Sequence, residues 1–171
     1  MNAGSPEVVS AKTQREIDAL VERLPRPQAA MLPALHLIQD EQGHVPVPAR
    51  EWLAARLGVS PAAVEAVLSF YTLFRREPEG KYVLYVCSTL PCALRGAERL
   101  FERLEQALGV DAGGTTPDRR FTLKRAECLG SCDQAPVLQV NEDYHGRVLD
   151  LDPRGGRASF ERLEAVLESL K

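Results

Sequence analysis

The chain has 171 residues, of which 44% are hydrophobic and 26% charged, with a formal net charge of −3. These are the proportions of a soluble globular protein with one ordinary domain or a small domain and an appendage, and the mild acidity leaves no basic footprint for nucleic acid. No window approaches 18 uninterrupted apolar residues, so no direct insertion into a membrane is expected, and the N-terminus lacks the basic and apolar regions of a signal peptide. The chain is expected in the cytosol, where paired cysteines more often mean metal than disulfide.

Residues 1–12 are polar and read as a flexible N-terminus. Four helical patterns follow over 13–77. Ile17, Leu20, Val21 and Leu24 form the first apolar stripe, ended by Pro25 and Pro27. Met31, Ala34, Leu35 and Ile38 form the second, with Pro33 near its first turn and Gly43 as its stop. The third runs from about Pro48 to Leu57 and is expected to bury Trp52, Leu53 and Leu57. Ser60-Pro61 then reads as an N-cap followed by proline at the first helical position, ahead of Val64, Val67, Leu68 and Tyr71. Together these make a small helical bundle.

The polar run Arg75–Gly80 marks a boundary, placed at residue 78. Beyond it Tyr82–Val86 is a continuous apolar run, as in a strand buried on both faces. Ala97, Leu100, Phe101, Leu104 and Leu108 define a helix that Gly109 ends. Residues 111–118 are loop, 121–126 and 136–140 are strands, and 144–149 is a return strand. Phe160, Leu163, Val166, Leu167 and Leu170 line a last helix. The second half therefore reads β-α-β-β-β-α, an α/β layer over 78–171.

All four cysteines lie in this second half, as Cys87-x4-Cys92 and Cys128-x3-Cys132. Each pair sits where a strand gives way to a loop, the place where a scaffold presents ligands. Four readings compete. Structural zinc usually takes C-x2-C knuckles, and disulfide exchange wants C-x-x-C at a helix start; neither spacing is present. Four unliganded, simply buried cysteines fit scattered positions better than two tight pairs. A [2Fe–2S] cluster, with one iron chelated by each pair, fits best. Its anionic charge asks for donors, which Gly130, Ser88, Thr89 and Ser131 are placed to supply, with Pro91 stiffening the first loop. Arg95, Lys124 and Arg125 are close enough in sequence to influence its potential. His36, His44 and His145 have no second ligand at a matching spacing, and no G-x-G-x-x-G follows a strand, so no dinucleotide site is expected here.

Two segments carry a resemblance. Ser69–Cys92, with its Phe-Tyr-Thr-Leu-Phe-Arg-Arg-Glu-Pro-Glu-Gly-Lys run, and Glu127-Cys-Leu-Gly-Ser-Cys-Asp-Gln-Ala-Pro resemble the 24-kilodalton [2Fe–2S] subunit family of NADH:quinone oxidoreductase, respiratory complex I. The resemblance runs from about residue 15 to 150. It implies a helical bundle followed by a thioredoxin-like ferredoxin domain, with Cys87, Cys92, Cys128 and Cys132 as cluster ligands. It also implies an electron carrier beside a flavoprotein that holds FMN and NADH, among other peripheral-arm iron–sulfur subunits, on the cytoplasmic side of the membrane. NAD-linked bidirectional hydrogenases and formate dehydrogenases carry similar subunits. A zinc-stabilised interaction module is the reading from another class. The run Arg147–Arg157 departs from the family's usual, shorter passage.

Overall fold

The structure, a computed structural model, describes residues 8–151 and 158–170. The chain divides into two compact units, Met1–Pro78 and Glu79–Lys171.

The first unit holds helices α1 (Ala11–Arg23), α2 (Met31–Gln42), α3 (Val47–Leu57) and α4 (Pro61–Phe70), with a 3-10 turn at Pro27–Ala30. Local chemistry sets their ends. Ser10 accepts from the Thr13 N–H at 3.3 Å and Ser60 from the Ala63 N–H at 3.3 Å, each satisfying a donor that a helix start leaves free. Gly43 and Gly58 end α2 and α3 in the left-handed conformation. Ile17, Leu35, Ile38, Leu53, Leu57, Val64 and Leu68 form the core between the helices.

Three details differ from the sequence expectation. The chain is engaged before residue 13: Val9 is buried in the core, and Gln42 Nε2 donates to the Val8 carbonyl at 2.8 Å. Residues 1–7 of the expected flexible N-terminus lie outside the described residues. Trp52 is half-buried at the edge of the core rather than inside it, because Ala49, Leu53 and Ala54 hold the inner face of α3. Tyr71 is not on the α4 face but is its C-cap, where the backbone turns extended.

Arg50 is buried within this unit. Its Nε donates to the Val45 carbonyl at 2.7 Å, its other nitrogens to the Arg76 carbonyl at 2.6 Å and to Glu65 Oε2 at 3.1 Å. One guanidinium thus ties α3 to α4 and to the segments on either side.

Among the described residues no single helix is long and apolar enough to cross a membrane. The pair α3 and α4 has the composition, but the two meet at 118°.

The second unit is built on a four-stranded mixed sheet: β1 (Tyr82–Cys87), β2 (Phe121–Ala126), β3 (Val137–Val140) and β4 (Asp143–Gly146), in the order β2-β1-β3-β4. The pair β1/β2 is parallel, with Tyr82 opposite Phe121 and Cys87 opposite Ala126; the other pairs are antiparallel. Central β1 is buried on both faces, which explains its unbroken apolar run. The crossover from β1 to β2 carries α5 (Leu90–Leu94) and α6 (Ala97–Leu108), and α7 (Glu161–Ser169) closes the fold. Leu100, Phe101 and Leu104 of α6 and Leu163 of α7 form one core with Leu84, Val86, Leu123 and Leu138 of the sheet. Asn141, at φ 52°, turns β3 into β4, and its Oδ1 accepts from the Val83 N–H at 2.9 Å.

The sequence suggests one return strand over 144–149. Instead β4 ends at Gly146, and a two-residue pairing of β5 (Asp150–Leu151) with β6 (Ala158–Ser159) follows. Arg147 breaks the strand because it takes a left-handed φ of 52°. The rest of the divergent run, 152–157, lies outside the described residues.

Candidate metal centre

The C-terminal ends of parallel strands β1 and β2 lie side by side, so the loops that leave them start together. Cys87 is the last residue of β1, and Cys92 sits mid-way along α5, one turn away. α5 forms where Thr89 takes an extended conformation and Pro91 enters the first turn. Pro91 is therefore part of a helix start rather than of a loop. Cys128 follows the end of β2, and Cys132 opens a 3-10 turn, Cys132–Gln134, that leads into β3.

Backbone hydrogen bonds tie the two loops to each other. The Ser88 N–H donates to the Ala126 carbonyl at 2.8 Å, and the Ser88 hydroxyl bonds the same oxygen at 3.1 Å. Ser88 thus serves the strand junction, not a cysteine as its place in the sequence suggests. Gly130 does reach sulfur: its N–H lies 3.4 Å from Cys128 Sγ, with φ 72°, a conformation that suits glycine.

The four thiols are free of disulfides and differ sharply in setting. Cys87 and Cys92 are buried; Cys128 and Cys132 are exposed. Burial pushes the Cys87 thiol up, but hydrogen bonds from the Thr89 and Leu129 backbone, Cys92 and the Thr89 hydroxyl outweigh it, and its net shift is downward. Leu129 lies between Cys128 and Cys132, so the second loop helps to stabilise a thiolate of the first. Burial, and then the bond and charge of Cys87, push Cys92 up to about 11. Cys132 also acts on Cys92 electrostatically. One anion is favoured and its neighbour disfavoured, as expected of two thiols that share a hydrogen bond.

The basic residues singled out in the sequence sort into two kinds. Lys124 is paired with Glu79. Arg125 makes a two-point bridge to Glu98, at 2.8 and 2.7 Å, and lies 3.8 Å above the Phe101 ring. Both are occupied elsewhere. Arg95 instead lines a cavity of about 610 Å³ together with Cys132, Arg147 and Arg162. Arg147 is a residue that sequence reasoning does not flag, since nothing in Gly-Arg-Val announces a left-handed arginine.

His36 packs on Phe74 and His44 bonds the Gln42 carbonyl. His145 lies within strand β4, opposite Leu138, rather than in a loop. Among the described residues no three His, Cys, Asp or Glu side chains are gathered for one metal ion.

Residues 17–153 match the family of thioredoxin-like [2Fe-2S] ferredoxins. The chain belongs to that family. Curated relatives agree over most of its length. It is 44% identical to an NADH-quinone oxidoreductase subunit of Rhizobium meliloti (strain 1021), over 92% of this chain and 88% of that protein. It is 40% identical to NADH-quinone oxidoreductase subunit 2 of Thermus thermophilus, over 84% and 75%. A third relative, an NADH-quinone oxidoreductase subunit of Mycobacterium bovis, is 39% identical, but the match spans only 55% of its length. Among solved structures, an NAD+-reducing [NiFe]-hydrogenase chain superposes with a TM-score of 0.64 at 25% identity, over 82% of this chain and 22% of that one. The α/β ferredoxin reading therefore stands, in a family named for its [2Fe–2S] cluster.

Proposed function

We propose that the chain is the [2Fe–2S] electron-transfer subunit of an NADH:quinone oxidoreductase, with Cys87 and Cys92 holding one iron and Cys128 and Cys132 the other. The observation that carries this reading is that the two cysteine pairs leave neighbouring parallel strand ends, where Cys87 lies opposite Ala126, within a fold whose relatives are named as subunits of that enzyme. The donor set suits the group. Four thiols stand free, two of them in the apolar core, with backbone N–H groups of Thr89, Leu129 and Gly130 directed at sulfur. Bound there, such a cluster would take up and give back one electron at a time.

The chain's own residues have definable tasks. The buried pair fixes one side of the site to the sheet and keeps water from it. The Thr89 and Leu129 N–H groups stabilise negative charge on Cys87. The exposed pair faces outward, the side from which an electron donor approaches. FMN and NADH belong, in this proposal, to a flavoprotein partner on the cytoplasmic side of the membrane, alongside further iron–sulfur subunits.

The hydrogenase likeness favours one second reading, an equivalent subunit of an NAD-linked hydrogenase. Both readings share a test. The isolated chain should show no saturable NADH binding by calorimetry. Mixed with its flavoprotein, it should be reduced by NADH and bleach in the visible. NADH binding by the lone chain, or no reduction in the mixture, would overturn the division of labour. Co-purification with a hydrogenase large subunit would select the second reading over the first.

A further inference from the structure

Reduction by one electron adds one unit of negative charge to a site that already holds four thiolates and two sulfides. A fixed cation facing that site stabilises the reduced form more than the oxidised one. The structure separates the basic side chains of the ferredoxin unit by this criterion. Lys124 and Arg125, nearest in sequence to the second pair, are neutralised by Glu79 and Glu98. Arg162 pairs with Asp150 at 3.7 Å. Arg147 donates to the Asp133 carbonyl, and its own backbone N–H bonds the Gln134 carbonyl at 2.7 Å, so it braces the Cys132 turn.

Arg95 differs from all of these. Its backbone N–H donates to the Pro91 and Cys92 carbonyls at 3.2 and 3.1 Å, which anchors it to the turn that carries Cys92. Arg95 is exposed and lines the cavity that Cys132 also lines, with Asp133 and the already paired Asp150 among the other lining residues. No carboxylate among the described residues bridges it. It thus stands on the turn that carries one cysteine pair, at a cavity lined by a cysteine of the other.

We propose that Arg95 is a positioning residue that sets the reduction potential of the site, its guanidinium favouring the electron-loaded state. The proposal rests on the cluster reading above and can fail separately from it. Arg95 is exposed, so solvent weakens the interaction and added salt screens it further.

The test is a spectroscopic redox titration of the full chain with its cluster, comparing Arg95→Gln, Arg95→Lys and Arg125→Gln. Iron and sulfide contents and the shape of the paramagnetic resonance signal are checked first. In Arg95→Gln the reduced-to-oxidised ratio at a fixed potential should fall about fivefold, ~40 mV at ~59 mV per tenfold for a one-electron couple. Arg95→Lys should recover most of this, and Arg125→Gln should change little. The difference in potential between the unaltered chain and Arg95→Gln should shrink as salt is raised. An Arg95→Gln protein with intact cluster and unchanged potential would overturn the proposal, whether or not its affinity for a partner changed. If Arg95→Gln loses its cluster, Arg95→Met is titrated in its place, and an unchanged potential there would also overturn the proposal. Absence of iron from the unaltered chain would instead refute the cluster reading.

Discussion

In the helical unit, the buried charge among the described residues is Arg50, and two carbonyls and a carboxylate answer it, one at each nitrogen. In the ferredoxin unit, the demanding groups are four thiols, and they are answered only in part: two lie in the core with one pKa lowered and the other raised, and two face outward. The first arrangement is met within its own unit, by two backbone carbonyls and one side chain. The second, in the function proposed above, would be completed by a cluster whose irons bind the thiolates. A polar group that the fold satisfies internally serves stability, whereas one left expectant at strand ends marks chemistry.

The most drastic way to probe this contrast is to remove a thiol. Cys87→Ala and Cys128→Ala each take a ligand from a different iron, and both are expected to abolish the native cluster, read as lost iron, lost sulfide and a colourless protein. They should diverge once the cluster is gone. The exposed Cys128 variant should keep the unfolding midpoint of the apo-protein, while the buried Cys87 variant should lower it.

Core deletion comes next in size. Phe101 is fully buried between α6 and the sheet, so Phe101→Ala should cost about 3–5 kcal/mol in urea unfolding and shed the cluster at lower denaturant than the unaltered chain. Arg50→Ala should cost about 2–3 kcal/mol, because it strips hydrogen bonds from two carbonyls and leaves Glu65 with one arginine, Arg76. Its visible spectrum should be unchanged. A spectral change in Arg50→Ala would show that the helical unit shapes the metal centre and would break the contrast between the two units.

Much of the fold is legible in the sequence, and what is not has physical causes. The stripes of α1 to α4 are readable because their apolar residues recur at helical spacing, and Gly43, Gly58 and Ser60-Pro61 announce the ends. The cysteine pairs are readable because strand patterns lead into both. α5 is not, since five residues are too few for periodicity, although Pro91 two residues after Thr89 is an available signal. Arg50 looks like any solvated helix charge; its burial depends on Val45, Glu65 and Arg76 meeting it in space. Arg125 reads from its position as a neighbour of the metal centre, but alternation along β2 turns it toward Glu98 and Phe101.

The smallest expected effect concerns that surface bridge. The hydrogen bond from Arg125, aided by its charge, outweighs the opposing effect of burial and holds Glu98 below its ordinary pKa of 4.5. A carboxylate depressed in the folded state contributes stability that is present above its unfolded pKa and fades as pH falls through the folded one. The bridge is largely solvated, so Glu98→Gln should cost less than about 1 kcal/mol at neutral pH and nothing near pH 2, by urea unfolding at both values. An equal loss at both would mean that Glu98 acts by packing rather than by charge.

The central claim, that four thiols of the ferredoxin unit enclose one two-iron cluster, is most directly tested on the anaerobically purified chain. Iron and acid-labile sulfide are counted, and a paramagnetic resonance spectrum is recorded after reduction with dithionite. About two irons and two sulfides per chain are expected, with a single signal from a one-electron-reduced cluster. A colourless protein with one tightly bound zinc and no signal on reduction would contradict it.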